Sequence, residues 1–218
     1  MFIKNLRYLK FLLKSRNQHG VHSPFIYDLI TKCLYKKTNK KYLNYYKETK
    51  KKIEDGFINN EITTKKAEIL ILLSQYFKPK NILEIGKSLG FAKLAMKVGF
   101  NNSKIISIDN CQENINISDS LFLKNRFKNI DKHFDIILFS NNEPKKTLPL
   151  FENCLCKINN DSLFIFNEIY NSKEMIDSWT KIKQDSRVSV TVDLFYFGLV
   201  FFRKEQKKED FKIRVKTL

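Results

Sequence analysis

The sequence predicts an α/β fold: a doubly wound, mostly parallel seven-stranded sheet with an antiparallel C-terminal hairpin, preceded by an N-terminal helical cap. Three observations carry this. From residue 81 onward, short apolar runs alternate with helical patterns, as in parallel strands joined by crossover helices. The run from Phe134 to Ser140 is almost continuously apolar, as a strand buried on both faces must be. The last two predicted strands, 188–193 and 195–203, have almost no chain between them, so they must pair antiparallel.

The elements follow in chain order. Residues 2–16 read as a helix, with Phe2, Leu6, Leu9 and Leu13 on one face and Lys4, Arg7 and Lys14 opposite. Arg7, Lys10 and Lys14 interrupt any signal-peptide core. A basic amphipathic helix either lies on a membrane surface or packs its apolar face on its own domain, and packing is the expectation here. After the loop 17–22, Ser23 is an N-cap and Pro24 a first helical residue, opening a helix to about Lys36. Residues 39–56 and 63–77 are helical, and Pro79 stops the second. Strand 81–85, helix 88–98 and strand 104–109 come next. The stretch 114–118 alternates like a short third strand, reached by a tight connection. Strand 134–140, helix 144–157, strand 162–167 and helix 172–184 lead to the final hairpin. Trp179 in the last helix is a core residue. The boundary falls at 78/79: a helical cap over 1–78 and an α/β domain over 79–218.

The chain has 218 residues, enough for a full core, with 43% hydrophobic residues and no run of eighteen apolar ones. No membrane span is expected, and the expected location is cytoplasmic. Cys33, Cys111, Cys154 and Cys156 form neither a disulfide framework nor a metal knuckle. The formal charge is +17, from 40 Lys and Arg against 23 Asp and Glu. Only six of the basic residues are Arg, the residue best suited to bidentate phosphate and guanine contacts. Nucleic acid is therefore a disfavoured partner. Most of the excess lies in the first 80 residues, where 18 basic residues face 6 acidic ones.

In an open α/β sheet, ligands bind beyond the carboxyl ends of the strands. The first strand runs into Glu84-Ile85-Gly86-Lys87-Ser88-Leu89-Gly90, in a chain with only 6 glycines. Glu84 stands where a nicotinamide fingerprint needs its first glycine, which argues against a dehydrogenase. The segment resembles motif I of class I S-adenosylmethionine-dependent methyltransferases. It is most similar to the Glu-x-Gly-x-x-x-Gly form of the small-molecule O-methyltransferases, such as the catechol and caffeoyl-coenzyme A enzymes. The final hairpin matches that Rossmann-like methyltransferase sheet. The segments His19–Phe25 and Gly198–Lys204 are also similar to a methyltransferase-like family of Bacteroidetes bacteria.

The resemblance implies S-adenosylmethionine as cofactor. It implies that Gly86 and Gly90 let backbone approach the methionine part, and that Glu84 accepts from the ammonium or from the glycine-loop network. Asp109 would take the ribose hydroxyls and Asp119 would lie near the adenine. Lys87, Ser88 and Ser140 complete the implied set, with Lys87 either attracting the carboxylate or pointing to solvent. The metal-dependent members carry an acidic residue after the fourth strand and an acidic pair after the fifth. Here those strands end in Ser140-Asn141-Asn142-Glu143 and Asn167-Glu168. A hard dication usually wants more than one carboxylate, so a divalent metal is not expected. Glu168, His19 and His22 are the candidate catalytic groups. The two histidines are read alternatively as part of a capping loop.

The functional expectation is a methyltransferase acting on a small-molecule acceptor, with the basic cap either favouring an anionic one or serving to keep the protein soluble. The alternatives are a catalytically inactive interaction protein on the same fold and a basic nucleic-acid binder. The oligomeric state is left open.

Overall fold

The computed structural model describes residues 2–53, 62–86, 90–108, 132–140 and 143–215. The predicted strand 114–118 lies outside the described residues. So do Cys111, Lys87, Ser88, Asp109, Asp119 and the Asn141–Asn142 pair. The helices are α1 (Phe2–Lys14), α2 (Pro24–Leu29), α3 (Lys40–Ile53), α4 (Thr64–Phe77), α5 (Phe91–Gly99), α6 (Pro144–Cys154) and α7 (Lys173–Gln184). The strands are β1 (Asn81–Ile85), β2 (Lys104–Ile108), β3 (Ile136–Phe139), β4 (Leu163–Asn167), β5 (Val190–Asp193), β6 (Phe197–Phe201) and β7 (Glu209–Lys212). They form one sheet in the order β2-β1-β3-β4-β6-β5-β7. The pairs β1–β3 and β3–β4 are parallel. The hairpin strand β6 runs antiparallel to β5, as their short connection requires, and also to β4.

The seventh described strand, β7, was not foreseen. Glu209–Lys212 reads Glu-Asp-Phe-Lys, without strand alternation, and becomes a strand by pairing parallel with β5. Its backbone bonds are supplied by a neighbour distant in sequence, and local pattern carries no trace of that.

The chain divides into two compact units: Met1–Ser15 with Asn81–Lys87 and Ile106–Lys212, and Arg16–Lys80 with Ser88–Ile105 and Ile213–Leu218. In the first, Leu83, Ile85, Phe139, Phe164 and Phe166 of the sheet pack with Phe151 and Trp179 of α6 and α7. Phe139 and Phe166 stack at 4.2 Å. Trp179 is core, as expected, and Gly198 on β6 makes room for it: a Cβ there would lie 2.7 Å from the indole ring.

Helix α1 differs from expectation in which face it buries. Phe11 is the buried residue, set against Phe195 at 5.6 Å and Tyr170 at 6.3 Å. Leu6, Leu9 and Leu13 of the predicted docking stripe are instead exposed. The winning face carries aromatic and cationic side chains that find ring, carboxylate and carbonyl partners on the segment after β4 and the β5–β6 turn. Helical periodicity alone cannot reveal those partners.

In the second unit, Thr63 caps α4 by accepting from the Lys66 N–H, and Lys78 at φ +46° ends it just before Pro79. The α4–α5 contact is close: the Ser74 hydroxyl donates to the Met96 carbonyl at 2.7 Å. The helix opened by Ser23 and Pro24 continues from α2 into a π-helical stretch, Ile30–Leu34, that buries Cys33. Burial pushes the Cys33 thiol up from 9.0 to about 12. Because the folded-state value is raised, its contribution is present below the unfolded pKa and is lost as pH climbs from 9.0 towards about 12. Stability measured by urea unfolding should therefore fall more steeply between about pH 8 and about pH 10.5 in the wild type than in Cys33→Ala. Equal slopes would show that the thiol does not report on folding.

Cys33, Cys154 and Cys156 are free thiols. Among the described residues, no helix is long and apolar enough to cross a membrane.

Candidate functional site

The carboxyl end of β1 is built around a buried carboxylate. Glu84 is 3% exposed. Its Oε2 accepts from the Ser107 hydroxyl of β2, and its Oε1 accepts from the Ser140 hydroxyl just after β3, each at 3.1 Å. A buried carboxylate is costly unless donors surround it, and the two neighbouring strands supply them. The strand ends are tied down as well: the Gly86 N–H donates to the Ile108 carbonyl at 2.9 Å and the Ser140 N–H to the Ile85 carbonyl at 2.8 Å. Gly86 has φ +102°, a conformation a side-chain-bearing residue holds only under strain. The sequence foresaw Glu84, Gly86 and Ser140 at strand ends. It missed Ser107, because the lateral order that sets β2 beside β1 cannot be read from one strand.

In the second unit, Gly90 at φ +80° is the N-cap of α5. His19 and His22 are exposed at the turn before α2. The His19 N–H donates to Asn17 Oδ1, and His19 Nε2 lies 3.1 Å from Gln18 Nε2. Ser23 accepts from the Ile26 N–H, as a cap should. His133 is exposed before β3, away from the strand's carboxyl end.

A second group gathers where β4 ends. Asn167 is fully buried, and neither its side-chain oxygen nor its nitrogen has a hydrogen-bond partner among the described residues. Glu168 follows at φ +55°, and Lys4 Nζ of α1 donates to its Oε2 at 2.7 Å. Arg7 Nη1 donates to the Tyr170 carbonyl at 2.7 Å. The Tyr170 hydroxyl donates to Asp193 Oδ2, and Lys212 Nζ donates to the Tyr170 oxygen at 3.1 Å. Burial, followed by the Asp193 charge, raises the Tyr170 pKa well beyond the ordinary phenol range, so this tyrosine keeps its proton. Burial also raises Asp193, against the opposing pull of the Tyr170 hydrogen bond and Lys212.

The residues at the end of β4 do not fit a divalent ion. Among the described residues, Glu168 is the carboxylate that follows β4, and an ammonium already lies against it, while Asp193 is engaged by Tyr170 and Lys212. Among the described residues, no group of three His, Cys, Asp or Glu could hold a metal. The Glu84 end does fit S-adenosylmethionine: a held carboxylate suits an ammonium, and a positive-φ glycine allows close backbone approach.

A cleft of about 650 Å³ opens elsewhere, lined by Leu155, Ile158, Arg187, Phe202, Arg203 and Lys208. It lies where β4 and β5 begin and β6 ends, the opposite end from Glu84 and Glu168. Its arginines are already paired, Arg187 with Glu152 and Asp185 and Arg203 with Asp161 and Glu205. It is remote from the strand ends where this fold binds ligands.

A parallel sheet with a reversed β6, and a Glu-x-Gly turn at the end of β1, match what the resemblance to class I S-adenosylmethionine-dependent methyltransferases implies. A family model described as O-methyltransferase matches residues 35–173, more than half of the chain, and the chain belongs to that family. Among curated proteins, none matches. Solved structures show the same fold. An O-methyltransferase from Bacillus cereus in complex with SAH is 15% identical, with TM-score 0.54 over 75% of this chain and 92% of that one. The SAH-bound methyltransferase PaMTH1 from Podospora anserina is 13% identical, with TM-score 0.56 over 78% and 91%. The O-methyltransferase TomG from Streptomyces achromogenes, in complex with SAM, is 13% identical, with TM-score 0.51 over 78% and 92%.

Proposed function

We propose that the protein is a S-adenosylmethionine-dependent O-methyltransferase acting on a small anionic acceptor without a divalent metal. The observation that carries the reading is the Glu84 carboxylate, held by Ser107 and Ser140 two residues before a glycine at φ +102°. Glu84 would take the cofactor ammonium, and Gly86 would admit its methionine part. On the resemblance, cofactor binding extends to Lys87, Ser88, Gly90 and Ser140, with Asp109 at the ribose hydroxyls and Asp119 near the adenine. When bound, S-adenosylmethionine supplies a methyl carbon made electrophilic by its sulfonium. The protein's task is then alignment and removal of the acceptor's proton.

Glu168 is the carboxylate placed for that proton, and Lys4 fixes its orientation and balances its charge. His19 and His22 are the other candidate bases, and His→Asn exchanges at each decide between them. Support for an anionic acceptor comes from three cations around Glu168 and Tyr170: Lys4, Arg7 and Lys212.

Calorimetry with S-adenosylmethionine and S-adenosylhomocysteine tests the reading. Binding of both is expected, unchanged by a strong chelator or by added magnesium. No heat and no thermal shift at millimolar ligand would remove the cofactor assignment. A magnesium-dependent gain in affinity or turnover would restore a metal role to Glu168.

A further inference from the structure

We infer that α1 lays its outer face on an anionic lipid surface. The helix is fastened to its own unit by one side only. Lys4 donates to Glu168 at 2.7 Å, Arg7 to the Tyr170 carbonyl at 2.7 Å, and the Tyr8 ring meets Phe195 at 4.8 Å. The aliphatic side chains are turned outward: Ile3 is 65% exposed, Leu6 46%, Leu9 57% and Leu13 88%. At about 100° per residue, these four share one helix surface with Lys10, and Lys14 borders it; both lysines are exposed.

A water-facing row of four aliphatic residues is unfavourable for a helix whose remaining face is already satisfied. Charge selects the occupant. Helix α1 carries Lys4, Arg7, Lys10 and Lys14 and no acidic residue, within a chain of net charge +17. A second copy would set Lys10 and Lys14 against the same cations with no acid on either helix, and a high net charge opposes self-association. An anionic bilayer offers apolar depth to the leucines and phosphate to the lysines, whose long stems let the ammonium rise to the headgroups. The geometry would bring the enzyme to a lipid–water boundary with Lys4 and Arg7 still engaged on the protein.

The test is co-sedimentation of the full chain with vesicles of equimolar phosphatidylglycerol and phosphatidylcholine, beside vesicles of phosphatidylcholine alone. Binding is expected to the anionic vesicles only, weakening as salt is raised. The charge-neutral pair Leu9→Ser and Leu13→Ser should weaken it at least about tenfold, with an unchanged thermal midpoint because both positions are exposed. In Leu13→Trp, the added indole should shift its emission to shorter wavelength when vesicles are present, against the constant signal of buried Trp179. Vesicle binding indifferent to the serine pair, or an indole that stays in water, would overturn the inference. So would a dimer in light scattering that the serine pair converts to monomer while vesicles remain unbound, because the second copy would then own the face.

Discussion

Binding of S-adenosylhomocysteine is expected to fall by about a hundredfold in Gly86→Val. Gly86 follows the Glu84-Ile85 end of β1 at φ +102°, with its N–H bonded to the Ile108 carbonyl. Forcing a β-branched residue into that conformation costs of order 1–3 kcal/mol. The turn can relieve this only by rotating its backbone, which displaces the loop that continues from β1. A loss of about 2.7 kcal/mol of binding free energy corresponds to about a hundredfold in affinity. Calorimetry reads the affinity, and a melt of the ligand-free variant shows how much of the strain is spent on stability. Wild-type affinity in this variant would mean that the cofactor does not bind beside Gly86.

Gly99→Ala is expected to cost about 3 kcal/mol of stability and to lower the thermal midpoint by roughly 10 °C. A Cβ at Gly99 would lie 2.5 Å from the Ile71 carbonyl oxygen and 2.7 Å from the Ser74 Cβ. The nearest obstacle is α4 backbone, so no side-chain rotation can make room, and α5 must move away from α4. That movement also stretches the Ser74 hydroxyl bond to the Met96 carbonyl. The substitution is diagnostic because the same exchange on an exposed helix would be neutral or slightly stabilising. Differential scanning calorimetry checks it, and a midpoint within about 2 °C of wild type would refute the close approach of the two helices.

Glu84, Gly86 and Ser140 were legible as strand-end residues because the apolar runs before them are continuous and ligands gather beyond such ends. Glu168 was legible for the same reason, but its partner was not. Lys4 and Glu168 lie on segments separated by most of the chain, and only the docking of α1 joins them. Ser107 was missed likewise, since its role depends on which strand lies beside β1.

What the sequence determined by itself is local and periodic. It set the buried strands β1, β3 and β4, the antiparallel β5–β6 hairpin, the cap at Ser23 and the glycine-marked turn after β1. Each follows from apolar spacing or from a side chain bonding its own backbone a few residues away. The lateral arrangement came from tertiary contacts. The stripe on α1 was plain in the sequence, yet the opposite face docks, because Phe11, Lys4 and Arg7 found partners on the segment after β4 and the β5–β6 turn. Strand β7 exists because β5 offers it a ladder. Periodicity fixes which side chains share a face, but which face is buried depends on the free energy of partners brought together from distant parts of the chain.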